Sequence, residues 1–349
     1  MVTTERRASK PTANDGYITC VAGDYGNTNV KFAIAGHEQV HKFPSFIYEV
    51  DPDTVILEDI YECLDDSSAL VEYNGEIFLI GALAAMYGGD PIYKRGKARS
   101  MVPMFMATLR GIEAISSCPV IERLNILVPD ALPRAIESTW QVVADEIESI
   151  TEFSVNGALI RPQIRKVKFI SEGVPAFRLC KEQGLFSDYA NTPGISEFGI
   201  LDIGGGDTTL KIFDYRTGQI DWNRAITLDR LGVAALAQSI AHRIKAAWGL
   251  LGTPDTTDIL RGLSIQHYVY GNESYEDIYL KCREKWAEAI CKELIPSIGE
   301  SLGTVAIVGG GAYHAEDFET YTNSRFFIAS EDLTEVDPQK INAIALTEM

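Results

Sequence analysis

The feature that most restricts how this chain can fold is a short pattern that occurs twice. It consists of an apolar strand ending in an aspartate, a patch of glycine and small polar residues, and a second apolar strand. In the longer copy the run Phe198 to Ile203 carries Asp202, passes through Gly204, Gly205, Gly206, Asp207 and Thr208, and leaves through Leu210 to Phe213 as the return strand of a hairpin. In the other copy Ile18 to Val21 lead to Asp24, the turn holds Gly26, Asn27, Thr28 and Asn29, and Val30-Lys31-Phe32 leaves it. Glycine lets backbone N–H groups approach an anion, threonine adds a hydroxyl donor, and a carboxylate at a strand end can hold a hydrated Mg²⁺ beside phosphates. A glycine-rich hairpin without a ligand would contain the same residues, so one copy alone leaves both readings open.

Two copies, followed by a third glycine cluster, favour a bipartite nucleotide clamp. The candidate phosphate-binding residues are Gly26, Asn27, Thr28, Asn29 and Lys31, then Gly204, Gly205, Gly206, Asp207 and Thr208. Asp24 and Asp202 are the candidate Mg²⁺ residues, acting mainly through water. The apolar run 305–308 enters Gly309, Gly310, Gly311, Ala312 and Tyr313, where a nucleoside could lie against bare backbone. Tyr313 reads equally as a half-buried surface tyrosine.

These motifs, in this order, resemble the actin, Hsp70 and sugar-kinase superfamily, and most nearly the ParM-type bacterial actins. Asp24 to Lys31 looks like the first phosphate motif, Leu201 to Thr209 like the second, and Val308 to Ala312 like the adenosine motif. Ile170-Ser171-Glu172-Gly173-Val174-Pro175-Ala176 resembles the connecting segment that carries the catalytic acid. The resemblance implies an α/β chain with the actin-like ATPase fold: two related α/β domains, each a five-stranded mixed sheet flanked by helices, around a nucleotide cleft. The domains expected are 16–193, with a small subdomain insert at 46–99, and 194–328, with an insert at about 226–284, before a helix in 329–349 returns to the first domain.

The resemblance also implies chemistry. ATP, with GTP as the alternative, would lie between the domains with Mg²⁺. Lys31 would reach the β- and γ-phosphates, and Glu172 would orient or deprotonate the attacking water in a slow hydrolysis. The closed form would add to a homopolymeric filament that positions plasmid DNA through an adaptor protein. Two alternatives stand beside this: a small-molecule kinase or phosphatase of the same superfamily, and a non-hydrolysing actin-like scaffold.

Charge bears on the partner. With 349 residues and a formal charge of −18, the chain lacks the clustered cations of a direct nucleic-acid grip, so DNA would need an adaptor. The exception is the basic run Tyr93 to Arg99, which reads as a solvated loop. The 6 cysteines are scattered without a C-x-x-C pair, which fits a reducing cytoplasm. No apolar run is long enough to cross a bilayer, and residues 1–15 read as a disordered tail without the apolar core of a signal peptide.

Along the chain, Asn74-Gly75 between two apolar runs predicts a hairpin, and a short helix follows at 81–87. Helices are expected from Ser100 through Ile112, at 134–150, at 174–184 and at 231–248, with strands at 124–128, 152–155 and 164–170. Residues 249–272 read as turn-rich. A long helix is expected to run through Trp286, Leu294 and Leu302, kinked at Pro296.

Overall fold

The computed structural model describes residues 16–37, 39–112, 116–128, 135–333 and 336–349; the expected tail lies outside them. The chain forms two compact units: residues through Ser171 together with Leu346–Met349, and Glu172–Ala345.

In the first unit the strands β1 (Val21–Tyr25), β2 (Asn29–Ile34), β3 (Val40–Pro44), β4 (Leu124–Val128) and β5 (Val167–Ser171) form one sheet in the order β5-β4-β1-β2-β3. The first three run as an antiparallel meander, and β4 and β5 lie parallel to β1 on its other side. Helices α1 (Lys97–Thr108) and α2 (Ala135–Glu148) belong to the same unit. Side chains alternate across a strand. Leu124, Ile126 and Val128 of β4 therefore join Val21, Met104 and Phe105 in the main cluster, while Leu127 joins Ala22 and Leu346 in another. Both faces of the sheet are covered, which is why β4 is buried along its whole length and is apolar but for Asn125. The Asn74-Gly75 hairpin forms between Ser68–Tyr73 and Glu76–Gly81, with positive φ at both turn residues, and belongs to a separate six-stranded sheet.

The second unit begins with α3 (Val174–Glu182). The strands β6 (Glu197–Ile203), β7 (Asp207–Asp214), β8 (Ile226–Asp229), β9 (Leu302–Val308) and β10 (Phe326–Ile328) take the order β8-β7-β6-β9-β10. Here too an antiparallel meander, β6 to β8, has two parallel strands added beside its first member. Strand for strand this is the arrangement of the first unit. One face meets α4 (Val233–Trp248) and α6 (Glu276–Leu294) through Leu201, Ile203, Leu210 and Ile212; the other meets α3 through Phe198, Ile200 and Phe213. Phe177 of α3 stacks on Phe213 with centroids 4.3 Å apart.

Two expectations change in this unit. The turn-rich segment holds a helix, α5 (Thr256–Ser264), capped by Asp255, whose carboxylate accepts from the Thr257 N–H at 2.8 Å. The long helix is not kinked at Pro296: α6 stops at Leu294, Pro296 sits in a 3₁₀ turn, and Leu302 opens β9. Proline cannot donate to the preceding turn, so the helix ends there. Downstream, α7 (Ile341–Thr347) closes the chain.

Burial predicts the response to truncation. Ile240 of α4 is fully buried and Val142 of α2 is 65% exposed. Ile240→Ala should cost about 2–5 kcal/mol in urea unfolding through the cavity it leaves. Val142→Ala should stay within about 0.5 kcal/mol of the parent. Equal effects would contradict the packing described.

Candidate functional site

The turn between β6 and β7 is organised by the start of α4. The Gly232 N–H donates to the Gly206 carbonyl at 3.3 Å, Val233 to Gly204 at 3.1 Å and Ala234 to Gly205 at 2.8 Å. All three glycine carbonyls therefore face the helix. In a trans peptide the N–H of the next residue points opposite to the carbonyl, and there are no cis peptides among the described residues. The N–H groups of Gly205, Gly206 and Asp207 are thus turned away from α4 as three consecutive donors, the arrangement of an anion nest. Closeness explains the glycine at the start of α4. A Cβ on Gly232 would lie 2.7 Å from Gly204 O and from Asp207 N, so no other residue lets the helix approach the turn.

Thr208 lies beneath this nest. It is fully buried and its hydroxyl donates to the Leu231 carbonyl at 3.1 Å, an oxygen that also accepts from Trp286 Nε1 at 3.0 Å. Its side chain therefore ties the hairpin to the chain before α4. Asp202 lies at the end of β6, and its Oδ2 accepts from Asn342 Nδ2 of α7 at 2.8 Å. The bond orients the carboxylate through an amide donor.

The third glycine cluster packs on the same strand end. Gly309 has φ +87°, and a Cβ there would stand 2.4 Å from Asp202 Oδ1; a Cβ on Gly311 would stand 2.1 Å from Ile203 Cγ2. Gly310 is roomier, with the Gln339 side chain 3.5 Å from such an atom. Ala312 is buried, and the Tyr313 hydroxyl donates to Asp337 Oδ1 at 2.8 Å. Burial, and then that acceptor, raise the Tyr313 phenol above its ordinary range.

In the first unit Asp24 and Lys31 stand opposite each other on β1 and β2, with Lys31 Nζ 2.8 Å from Asp24 Oδ2 and both side chains largely buried. The turn between them is held differently from the other. Ser45, fully buried, donates its hydroxyl to Gly26 O at 2.6 Å and its N–H to Thr28 O at 3.0 Å. A Cβ at Gly26 would come 2.9 Å from Asn29 O. Thr28 is exposed, and Asn27 and Asn29 are half-buried.

Glu172 is half-buried and precedes Gly173, which caps α3 in the left-handed region at φ +82°. Its backbone carbonyl accepts from Lys211 Nζ of β7 at 2.9 Å. Elsewhere in the first unit, the Tyr93 to Arg99 run contributes Lys94, Arg95 and Arg99 to a cavity of about 410 Å³ that Glu76 and Glu146 also line. Arg95 is paired with Glu49 at 3.1 Å.

Asp24 and Asp202 offer hard carboxylate oxygens, the donor type Mg²⁺ takes, each already oriented by a neighbour. Among the described residues no cluster of three or more His, Cys, Asp or Glu side chains forms a cage. Each carboxylate, taken by itself, is of the kind that contacts a cation mainly through the cation's own waters. Among the described residues no helix is long and apolar enough to cross a membrane, and all six cysteines are free thiols.

Beside the glycine cluster, His314 is buried, with Nδ1 3.0 Å from the Tyr279 hydroxyl. Burial, with Arg283 adding to it, lowers its imidazole from the ordinary 6.5 to about 4. The neutral ring's contribution is whole above 6.5 and drains away as pH falls toward 4, because the unfolded state then binds the extra proton. Stability should drop by about 2 kcal/mol between pH 7 and pH 5. Denaturation at both pH values should show a smaller drop in His314→Gln; an equal drop would contradict the assignment. At the glycine cluster, Gly309→Ala should cost at least about 2 kcal/mol in thermal unfolding through strain and collision, with Gly310→Ala far milder.

No protein-family model matches the chain, and no curated protein matches it. Solved structures do match, over nearly its full length. An archaeal actin homolog in complex with ADP is 15% identical with a TM-score of 0.70, over 95% of this chain and 98% of that one. Bacillus thuringiensis ParM with ATP is 15% identical with a TM-score of 0.64, over 96% and 98%. ParM in a 15-stranded filament from Clostridium botulinum is 14% identical with a TM-score of 0.65, over 95% and 98%. The fold is actin-like and of the ParM type, and the α/β architecture expected from sequence is the one found.

Proposed function

We propose that this chain of actin-like fold binds Mg-ATP, polymerises into filaments and hydrolyses the nucleotide slowly to time their turnover, in the service of plasmid or other DNA segregation or of cytoskeletal positioning. The observation that carries the reading is the donor nest at residues 205–207 beside a strand-end carboxylate, in a sheet whose counterpart in the other unit presents a second carboxylate and glycine turn. Structural neighbours solved with ADP, with ATP and as a filament support it.

In this reading the backbone donors of Gly205, Gly206 and Asp207 and those of the 26–29 turn hold phosphate oxygens, and Gly309 to Tyr313 line the nucleoside. Asp24 and Asp202 hold Mg²⁺ through its water shell, and the cation offsets phosphate charge. Lys31, poised on Asp24, neutralises charge that builds as the γ-phosphoryl leaves. Glu172 orients the attacking water or takes its proton. The partners in this reading are a second copy in the filament and a DNA-binding adaptor, which agrees with an acidic chain that lacks a direct grip on DNA. The site of action is the cytoplasm.

Light scattering and phosphate release recorded together after adding Mg-ATP test this. Scattering should rise at once and decay as phosphate accumulates. Glu172→Gln should slow phosphate release by on the order of 10²-fold while its filaments persist. Absent scattering, with phosphate released only when a metabolite is supplied, would replace the filament with a kinase.

A further inference from the structure

Among the described residues Lys211 is the only lysine or arginine in the buried class, at 2% exposure. It stands on β7 between Leu210 and Ile212, which face α4, and therefore shares the opposite face with Phe213. Its ammonium has neighbours of different chemistry. One is the Glu172 backbone carbonyl at 2.9 Å; another is the Trp222 ring, with the nitrogen 5.6 Å from the centroid. Its stem is used as well. A Cβ on Gly173 would meet Lys211 Cδ at 3.6 Å and Phe213 Cζ at 3.7 Å, so the left-handed residue after Glu172 rests on the lysine and the strand.

Burying an ammonium is expensive and is tolerated where the charge meets acceptors and a π face. We infer that Lys211 is a positioning residue: it clamps the Glu172 backbone, together with left-handed Gly173, and so fixes where the Glu172 carboxyl is presented. The inference rests on the assignment of Glu172 as the group that handles the attacking water. Lys211 itself need not touch nucleotide or water. Its contribution is to hold the residue that does, in the range where small displacements cost much of the rate.

Phosphate release at saturating Mg-ATP, nucleotide affinity and hydrogen exchange across residues 172–183 are to be measured in the parent, Lys211→Met, Lys211→Arg and Glu172→Gln. In Lys211→Met the amides at the start of α3 should exchange faster with or without nucleotide. Its kcat should fall about 10²-fold while nucleotide affinity holds within about 3-fold, the signature of lost positioning. Lys211→Arg keeps a donor for the carbonyl and a cation for Trp222, and should restore most of the rate and the protection. Parent-like turnover in Lys211→Met beside a slow Glu172→Gln would overturn the inference and leave the proposed function standing. A parallel loss of rate, affinity and thermal stability without rescue by arginine would reduce Lys211 to a core residue. Parent-like turnover in Glu172→Gln would remove the assignment of Glu172, and the clamp with it.

Discussion

Three hydrogen bonds from the first turn of α4 to the carbonyls of Gly204, Gly205 and Gly206 set the geometry on which the second hairpin depends. The first N–H groups of a helix have no partner within it and carry the positive end of its dipole. Here they are spent on three peptide groups whose own N–H donors emerge on the far side. Hydrogen bonds in series polarise one another, so the helix's positive end is relayed through the turn. The arrangement needs backbone-to-backbone contact, which Gly232 provides, and a fixed height of the helix over the sheet, which the shared Leu231 carbonyl secures.

The two sheets repeat one strand order, yet their turns are held by different physics. The second relies on helix backbone. The first relies on a buried serine from the chain after β3, which holds Gly26 and Thr28, and Lys31 bonds its aspartate; Asn342 bonds the aspartate of the second. One strand order has thus been fitted with two turns that are supported in different ways.

Much of this was legible in the residues. The strand, aspartate, glycine, threonine pattern marked both hairpins, and Asn74-Gly75 marked a third. Helix α5 was missed because Pro254 and the glycines around it outweighed a short apolar face, although Asp255 before Thr256 and Thr257 is an N-cap signature. The run beyond Pro296 misled because Ile298 and Leu302 keep a four-residue spacing that here belongs to a turn and a strand. The clamping residues were out of reach for another reason. Lys211 meets a carbonyl 39 residues away and Asn342 a carboxylate 140 residues away. Sequence marks a polar residue inside an apolar run, but only the fold says what it is for.

The first unit is not one continuous stretch. Leu346 is fully buried there with Ala22 and Leu127, its carbonyl accepts from Asn125 Nδ2 at 2.9 Å, and Met349 O accepts from Arg123 Nη1 at 2.7 Å. During synthesis the first unit's main strands leave the ribosome early but wait for this late segment, while the second unit, whole and contiguous, can finish in between. Until then the Leu127 face of β4 and the carboxamide of Asn125 lack their cover. A lesion near Leu346 would therefore register as a defect in the half of the molecule made first.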